Sequence, residues 1–182
     1  MENAAAGASF FTIGHSTLPL DDFIRTLRQF DIGLVVDVRT VPRSRRNPQF
    51  NRDALPDSLS AFRIGYEHLA SLGGLRCRSP EVPPEVNAFW KNESFHNYAD
   101  YALSDAFRGG LERLLQLGRE RRTAIMCAET LWWRCHRRLI ADYLLAAGAS
   151  VFHLVGSTAE PARLTEGARP DGSGRLTYPA TA

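Results

Sequence analysis

Residues 10–38, FFTIGHSTLPLDDFIRTLRQFDIGLVVDV, decide the fold of this 182-residue chain. The apolar run over residues 10–13 predicts a buried strand, which ends at the polar turn 14–16. Apolar residues then recur at helical spacing over residues 20–30, and residues 33–38 form a second apolar run. A strand–helix–strand unit of this length indicates parallel pairing with a right-handed crossover.

The same alternation continues along the rest of the chain. We predict further strands over residues 64–69, 123–127 and 151–155, and helices over residues 55–62, 95–103, 105–117 with Gly118 as the stop, and 132–147. This pattern predicts an α/β fold, a three-layer sandwich around a mostly parallel sheet, in a single domain. We expect a flexible N-terminus over residues 1–9 and one domain over residues 10–182, in which residues 156–182 form a loop-rich tail.

Composition restricts the classes of protein to which the chain can belong. The apolar fraction of 44% and charged fraction of 23% are typical of globular proteins, and a net charge of +2 excludes a strong overall basic field. Lys91 is the only lysine, so the basic residues are almost all arginines, whose guanidinium groups bind phosphate in two places. Three cysteines without a secretory signal favour a reducing cytoplasm. No apolar run has the length of a membrane span, so we expect no membrane partner.

Polar residues follow the strands at the points where their carboxyl ends are expected to meet. Ligands of open parallel sheets bind outside these ends. We therefore expect one polar site made of His15, Asp37, Arg39, Cys127, Glu129, Cys135 and His136. Helical spacing over residues 132–147 would turn Cys135 and His136 towards the sheet.

Thiol chemistry is the first use of this site that the sequence indicates. Cys127 closes a strand and faces the start of the next helix, where a helix dipole lowers the pKa of a thiol. His136 is then a candidate general base, and Glu129 would orient it or bind substrate. The alternatives are an inert buried cysteine and a histidine bonded to a backbone carbonyl.

A metal centre is the second use. Mixed sulfur, nitrogen and oxygen donors suit zinc or iron. The donors would be Cys127, Glu129, Cys135 and His136, completed by His15 or His153. Their spacing matches no defensible zinc pattern, so no residue is assigned as a metal ligand and the cofactor stays unknown.

A proline-bounded loop carries Arg43, Arg45 and Arg46, and we call these three residues the arginine loop. Clustered guanidinium groups favour binding of a phosphate-bearing anion. The alternative is a solvated loop whose arginines pair with Asp53 and Asp57.

Several of these motifs occur together in a known order. They are Thr12-Ile13-Gly14-His15-Ser16, Asp37-Val38-Arg39, Pro42-Arg43-Ser44, Leu72-Gly73-Gly74, Met126-Cys127-Ala128-Glu129 and Cys135-His136-Arg137. The ordered set resembles the uncharacterised bacterial family called domain of unknown function 488, from about residue 10 to beyond residue 155. Residues 44–51 resemble the branch of that family with an arginine-rich loop. The resemblance implies an α/β fold and a shared site built from these motifs.

A second resemblance is to the rhodanese-like sulfurtransferases. It rests on Asp37-Val38-Arg39 after a strand, on the strand-end Cys127, and on the order of residues 146–156. In rhodaneses the cysteine opens a tight loop of backbone amides. Here Glu129 follows instead, and its negative charge would oppose an anionic persulfide.

We therefore predict a thiol-dependent enzyme that acts on a phosphate-bearing substrate, such as a nucleotide or nucleic acid, with Cys127 as nucleophile and His136 as base. The residues expected to bind substrate are His15, Ser16, Asp37, Arg39, Arg43, Arg45, Arg46, Asn51, Cys135 and Arg137. The alternatives are a nucleic-acid-binding module without chemistry and a zinc- or iron-dependent enzyme. The sequence leaves the oligomeric state open.

Overall fold

The structure is a computed structural model that describes residues 7–181. Most of the N-terminal segment expected to be flexible, residues 1–6 of 1–9, lies outside the described residues, and Ser9 already belongs to the first strand. The elements in chain order are β1 Ser9–Gly14, α1 Leu20–Gln29, β2 Leu34–Asp37, α2 Leu55–Ser60, β3 Gly65–His68, α3 Glu93–Tyr101, α4 Asp105–Glu120, β4 Thr123–Cys127, α5 Arg137–Ala146, β5 Ser150–Val155, β6 Thr158–Pro161, β7 Arg169–Pro170 and β8 Leu176–Thr177.

The central sheet has six strands in the order β3-β2-β4-β1-β5-β6. The first five are parallel, and β6 pairs antiparallel to β5 at the edge. Strands β7 and β8 form a small separate antiparallel pair in the tail. In register, Gly14 lies beside Cys127 and Asp37 beside Met126, so β1, β2 and β4 end at one edge of the sheet. The predicted single α/β domain with a mostly parallel sheet is confirmed.

Each face of the sheet has its own hydrophobic core. Phe11 and its neighbours pack with α1 and α2, including the fully buried Phe23. Phe10, the preceding residue of β1, points to the opposite face and packs with α3, α4 and α5. The two cores lie between the central sheet and the helices on either side, which gives the three predicted layers. Within residues 7–181, no helix is both long and apolar enough to span a membrane.

Two predicted helix boundaries are wrong. The fourth helix continues through Gly118 to Glu120. A Cβ atom at Gly118 would lie 2.1 Å from the Phe10 ring, so this glycine permits close helix–sheet packing and does not stop the helix. The last helix begins at Arg137, because residues 132–134 form a separate 3₁₀ turn and Cys135 has extended backbone. Cys135 and His136 therefore lie in front of α5.

Candidate functional site

The carboxyl edge of the sheet carries two groups of polar side chains on opposite faces. Asp37 points to the same face as Val35, towards α1 and α2, because side chains alternate along a strand. Cys127 points to the same face as Ile125, towards α3, α4 and α5. We call the first group, His15, Asp37, Arg39 and Tyr66, the ionic cluster. We call the second group, Cys127, Cys135, His136 and Arg137, the thiol cluster.

The ionic cluster is a buried, fully bonded network. Arg39 donates from Nε to Asp37 Oδ1 at 2.9 Å and from Nη2 to Asp37 Oδ2 at 2.6 Å. Tyr66 Oη donates to the same Oδ2 at 2.6 Å, and Arg39 also donates to the carbonyl oxygen of Phe50 at 2.6 Å. Asp37 has no exposed surface. Its charge is neutralised inside the protein, so Asp37 positions Arg39 and does not face a substrate.

His15 is held as a neutral ring within this cluster. Its Nδ1 lies 2.9 Å from the carbonyl oxygen of Ser16, which only accepts, so Nδ1 carries the proton. Its Nε2 then accepts from Arg39 Nη1 at 3.1 Å. The ring stacks on Phe50 with centroids 4.3 Å apart, and burial lowers the pKa of His15 to about 4. Both nitrogens are occupied, so His15 orients Arg39 and is not placed to exchange a proton.

The thiol cluster centres on two sulfur atoms. Cys127 Sγ and Cys135 Sγ are 2.8 Å apart and both residues are buried. Cys135 Sγ also lies 3.5 Å from His136 Nδ1, 3.4 Å from Arg137 Nε and 3.5 Å from the Arg137 amide nitrogen. The Cys127 thiol and the two Arg137 nitrogens can donate to a Cys135 thiolate, and His136 Nδ1 can do so when the imidazole carries a proton on both nitrogens.

The two thiols have opposite acidities. Burial by itself would raise the pKa of Cys135, but the hydrogen bonds from Cys127 and His136 and the charge of Arg137 bring it well below its ordinary value. The hydrogen bond that Cys127 donates to Cys135, together with burial, raises the pKa of Cys127. These opposite shifts favour the proton on Cys127 and the negative charge on Cys135.

His136 is oriented by backbone and not by Glu129. Its Nε2 lies 2.9 Å from the carbonyl oxygen of Val38, so Nε2 donates and Nδ1 faces the Cys135 sulfur. The ring of Tyr98 packs edge-on against His136 at 5.1 Å, and Gly74 lies directly beside the ring. His136 is therefore bonded to a backbone carbonyl through Nε2, as the alternative expected, and its Nδ1 contacts the Cys135 thiol.

Arg137 is a buried support for the thiols. Its side chain is 1% exposed and donates to the Glu129 carbonyl oxygen, to Cys135 Sγ and, at 3.4 Å, to Thr12 Oγ1. Thr12 Oγ1 lies 2.8 Å from Nδ1 of His153. Burial, followed by the charge of Arg137, lowers the pKa of His153 to about 4. Arg137 was expected to bind substrate, but its donors are used inside the protein.

A cavity of about 420 Å³ opens onto the thiols. It is lined by Arg39, Thr40, Val41, Gly74, Leu75, Asn92, Ser94, Phe95, Cys127, Ala128, Glu129, Arg134, Cys135 and His136. Glu129 is exposed on its rim and accepts from the Leu131 amide at 3.0 Å. Val41 and Leu75 are exposed beside it, at 62% and 76%. The cavity therefore has apolar and polar walls around the sulfur atoms.

A second cavity, of about 280 Å³, adjoins the first. The two share Arg39, Val41 and Ala128. The second is lined in addition by His15, Ser16, Thr17, Arg43, Ser44, Arg46 and Asn47. Two members of the arginine loop thus lie next to the cavity that holds the thiols.

The arginine loop is ordered by its own backbone. The Ser44 amide donates to Asn51 Oδ1 at 2.6 Å, and the Asn47 amide donates to Ser44 Oγ at 3.2 Å. Asn51 was expected to bind substrate, and its side-chain oxygen instead holds this loop. All three arginines are exposed, and within the described part of the chain their guanidinium groups make no ion pair with Asp53 or Asp57.

Tyr66 is the functional neighbour that sequence reasoning missed. It pairs in register with Val35, and the Asp37 carboxylate lies on the same face one step along the strand. Burial, then the hydrogen bond to Asp37, raises the pKa of Tyr66, so its hydroxyl stays a donor. The signal was present in the alternation of β3, but its use needed the register between β2 and β3.

No arrangement of three or more His, Cys, Asp or Glu side chains within residues 7–181 could hold a metal ion. Cys127, Cys135 and His136 come together, whereas Glu129 turns to the Leu131 amide and His15 to the ionic cluster. The metal-dependent alternative stays a prediction.

Comparison with protein-family models gave a match to this chain. The family model described as domain of unknown function DUF488 matches residues 19–144, more than two thirds of the chain. Neither the curated proteins nor the solved structures contain a significant match to this sequence. The rhodanese-like similarity and the arginine-rich-loop branch stay predictions.

Proposed function

This chain belongs to the DUF488 family, and from the geometry of its site we propose that it is a thiol-dependent enzyme acting on a phosphate-bearing small molecule. One observation carries the proposal. Cys135 Sγ lies within 3.5 Å of Cys127 Sγ, His136 Nδ1 and Arg137 Nε, and it lines an open cavity at the carboxyl edge of the sheet. A thiolate stabilised in this way is the reactive form of cysteine.

The hydrogen bonds favour Cys135 over Cys127 as the nucleophile. Cys135 receives the donors from His136 and Arg137, whereas Cys127 makes contact with Cys135 and, at 3.7 Å, with the Glu129 carbonyl oxygen. Cys127 then holds the proton that it can give to a leaving atom. His136 accepts a proton at Nδ1 when the Cys135 thiol ionises, because its Nε2 is fixed by backbone.

The arginine loop supports a phosphate group as part of the substrate. Arg43 and Arg46 line the cavity beside the thiols, and their guanidinium groups are exposed and without ion pairs among residues 7–181. A phosphate there would receive charged hydrogen bonds. Apolar Val41 and Leu75 suit the uncharged part of the same molecule, and two joined cavities favour a compact ligand over a long polymer.

Alkylation of the native protein tests the thiolate. Rates of iodoacetamide modification at each cysteine are measured by mass spectrometry from pH 5 to 8 in the Cys77→Ser protein, which removes the exposed third thiol. We expect Cys135 to react at low pH and Cys127 to react only after unfolding. Arg134→Gln is a matched control, because Arg134 lines the cavity without contacting either sulfur. A Cys135 that reacts only above pH 8 would remove the basis of the proposal.

Binding of inorganic phosphate tests the substrate class. The variant Arg43→Gln/Arg45→Gln/Arg46→Gln should lose phosphate protection of Cys135 against alkylation, whereas Arg25→Gln, an exposed arginine paired with Asp22, should keep it. Equal protection in both variants would separate the loop from the substrate.

Nucleic-acid binding without chemistry is the second candidate, and the exposed, unpaired arginine loop is the observation that favours it. It requires an affinity for single-stranded oligonucleotides that falls steeply with salt and depends on the arginine loop. Such binding by a protein whose Cys135 is inert would place this candidate first.

A further inference from the structure

The two buried cysteines form a pair that the third cysteine does not join. Cys77 is exposed, whereas Cys127 and Cys135 are 3% and 5% exposed. Their sulfur atoms are in direct contact at 2.8 Å, although the residues come from the end of β4 and from the segment in front of α5. The connection between them is anchored, because the Ser16 amide donates to the Ala128 carbonyl oxygen and Arg137 donates to the Glu129 carbonyl oxygen.

We propose that Cys127 and Cys135 are a modification site at which a hydroperoxide forms a reversible disulfide. Cys135 is the attacking sulfur, because His136 Nδ1 and Arg137 Nε both lie against it. Cys127 is the resolving sulfur, because its nearest polar neighbour is Cys135 itself. This inference concerns the same thiols as the proposed function and adds how that function is switched off.

The cavity explains which oxidant reaches the pair. About 420 Å³ of space opens onto both sulfurs, but each side chain is almost completely buried. Hydrogen peroxide is small and uncharged, so it can enter the cavity and contact a sulfur atom at its wall. A protein disulfide would need more exposed sulfur than either residue offers.

The chemistry balances without further groups. The Cys135 thiolate attacks one oxygen of hydrogen peroxide, the O–O bond breaks, and hydroxide leaves, giving a sulfenic acid on Cys135. Cys127 then attacks this sulfur, the S–O bond breaks, and the hydroxyl group leaves as water with the Cys127 proton. Two electrons pass from the cysteine pair to the peroxide. A dithiol reductant returns two electrons and restores both thiols.

Peptide mapping under non-reducing conditions tests the proposal. The Cys77→Ser protein is treated with one equivalent of hydrogen peroxide, then unfolded, alkylated and digested. We expect a cross-link between the peptides of Cys127 and Cys135, a loss of two hydrogens from the intact mass, and reversal by a dithiol. Two free, alkylatable cysteines or a sulfinic acid on Cys135 without a cross-link would overturn it.

Two variants assign the roles of the sulfurs. In Cys127→Ser, the sulfenic acid on Cys135 should persist and react with dimedone, whereas Cys135→Ser should leave Cys127 unoxidised. Dimedone labelling of Cys127 in the Cys135→Ser protein would reverse the assignment. If either variant fails to fold, the cross-link in the Cys77→Ser protein still decides whether the disulfide forms.

The outcome separates this inference from the proposed function. Rapid alkylation of Cys135 without any cross-link would keep the thiol enzyme and remove the disulfide. A cross-link in a protein in which phosphate does not protect Cys135 from alkylation would keep the disulfide and remove the proposed substrate class.

Discussion

The glycine beside His136 offers a direct test of how the thiol site is built. A Cβ atom at Gly74 would lie 2.5 Å from His136 Nδ1 and 2.8 Å from Cγ, whereas ordinary contact begins at 3.4 Å. Gly74 has no positive φ, so alanine there brings no backbone strain and the effect is steric. In Gly74→Ala the imidazole must shift by roughly 1 Å, which disturbs the contact between its Nδ1 and Cys135 Sγ.

The cost follows from the contacts that this movement breaks. Overpacking of a filled site costs about 1–3 kcal/mol, and the 2.9 Å hydrogen bond from His136 to the Val38 carbonyl contributes about 1 kcal/mol. The lower chain entropy of alanine in the unfolded state offsets about 0.4–1 kcal/mol. We expect the free energy of unfolding to fall by about 2 kcal/mol, which lowers Tm by about 4–8 °C in a chain of this size.

Urea unfolding and the alkylation rate of Cys135 are the two readouts. The matched control is Gly109→Ala, because Gly109 is exposed within α4 and has nothing within 4 Å of its Cβ position. That change should stabilise the protein by up to about 1 kcal/mol and leave the alkylation rate unchanged. If Gly74→Ala behaves like Gly109→Ala in both measurements, His136 does not support the Cys135 thiolate.

Three further outcomes follow from charges and burial. Because burial lowers the pKa values of His15 and His153 from 6.5 to about 4, the unfolded chain takes up protons first as the pH falls through this window. Stability should therefore decline by about 2 kcal/mol per histidine between pH 7 and 5, and urea midpoints that match at the two pH values would contradict the buried neutral rings. Asp37→Asn should cost about 3–5 kcal/mol because it leaves the Arg39 guanidinium without its buried partner, whereas the exposed Asp22→Asn should stay within about 0.5 kcal/mol on the same urea curve; equal losses would argue against the buried pair. Replacing all three residues of the arginine loop by glutamine should change stability by no more than about 0.5 kcal/mol, and a larger thermal shift would mean that the loop has a structural role.

Much of the site could be located from sequence because it follows strand ends. His15, Asp37 and Cys127 were placed at one edge by a simple count of strands and helices, and register pairs such as Gly14 beside Cys127 bear this out. The sequence did not predict to which face of the sheet each of these side chains points. Asp37 and Cys127 therefore fall into two clusters where one had been expected.

The predicted start of the last helix at residue 132 is wrong for a related reason. Cys135 and His136 fit the helical spacing expected over residues 132–147, but the Trp132 ring stacks on His153 at 4.0 Å and residues 132–134 form a separate turn. His153 comes from β5, far away in the chain. The local spacing of apolar residues carries no information about such a contact, so it could not predict that α5 begins at Arg137.

The sequence by itself determined the fold class, the parallel arrangement of the main strands and the end of the sheet to which the polar side chains belong. It did so because the two-residue and 3.6-residue periods of apolar residues are local properties of the chain. Only the tertiary structure shows which donors surround each sulfur, which carbonyl orients His136, and that the arginine loop makes no ion pair within residues 7–181. Those properties depend on hydrogen bonds between distant segments, such as His136 to Val38 and Arg137 to Thr12, and a pKa responds to the sum of such neighbours.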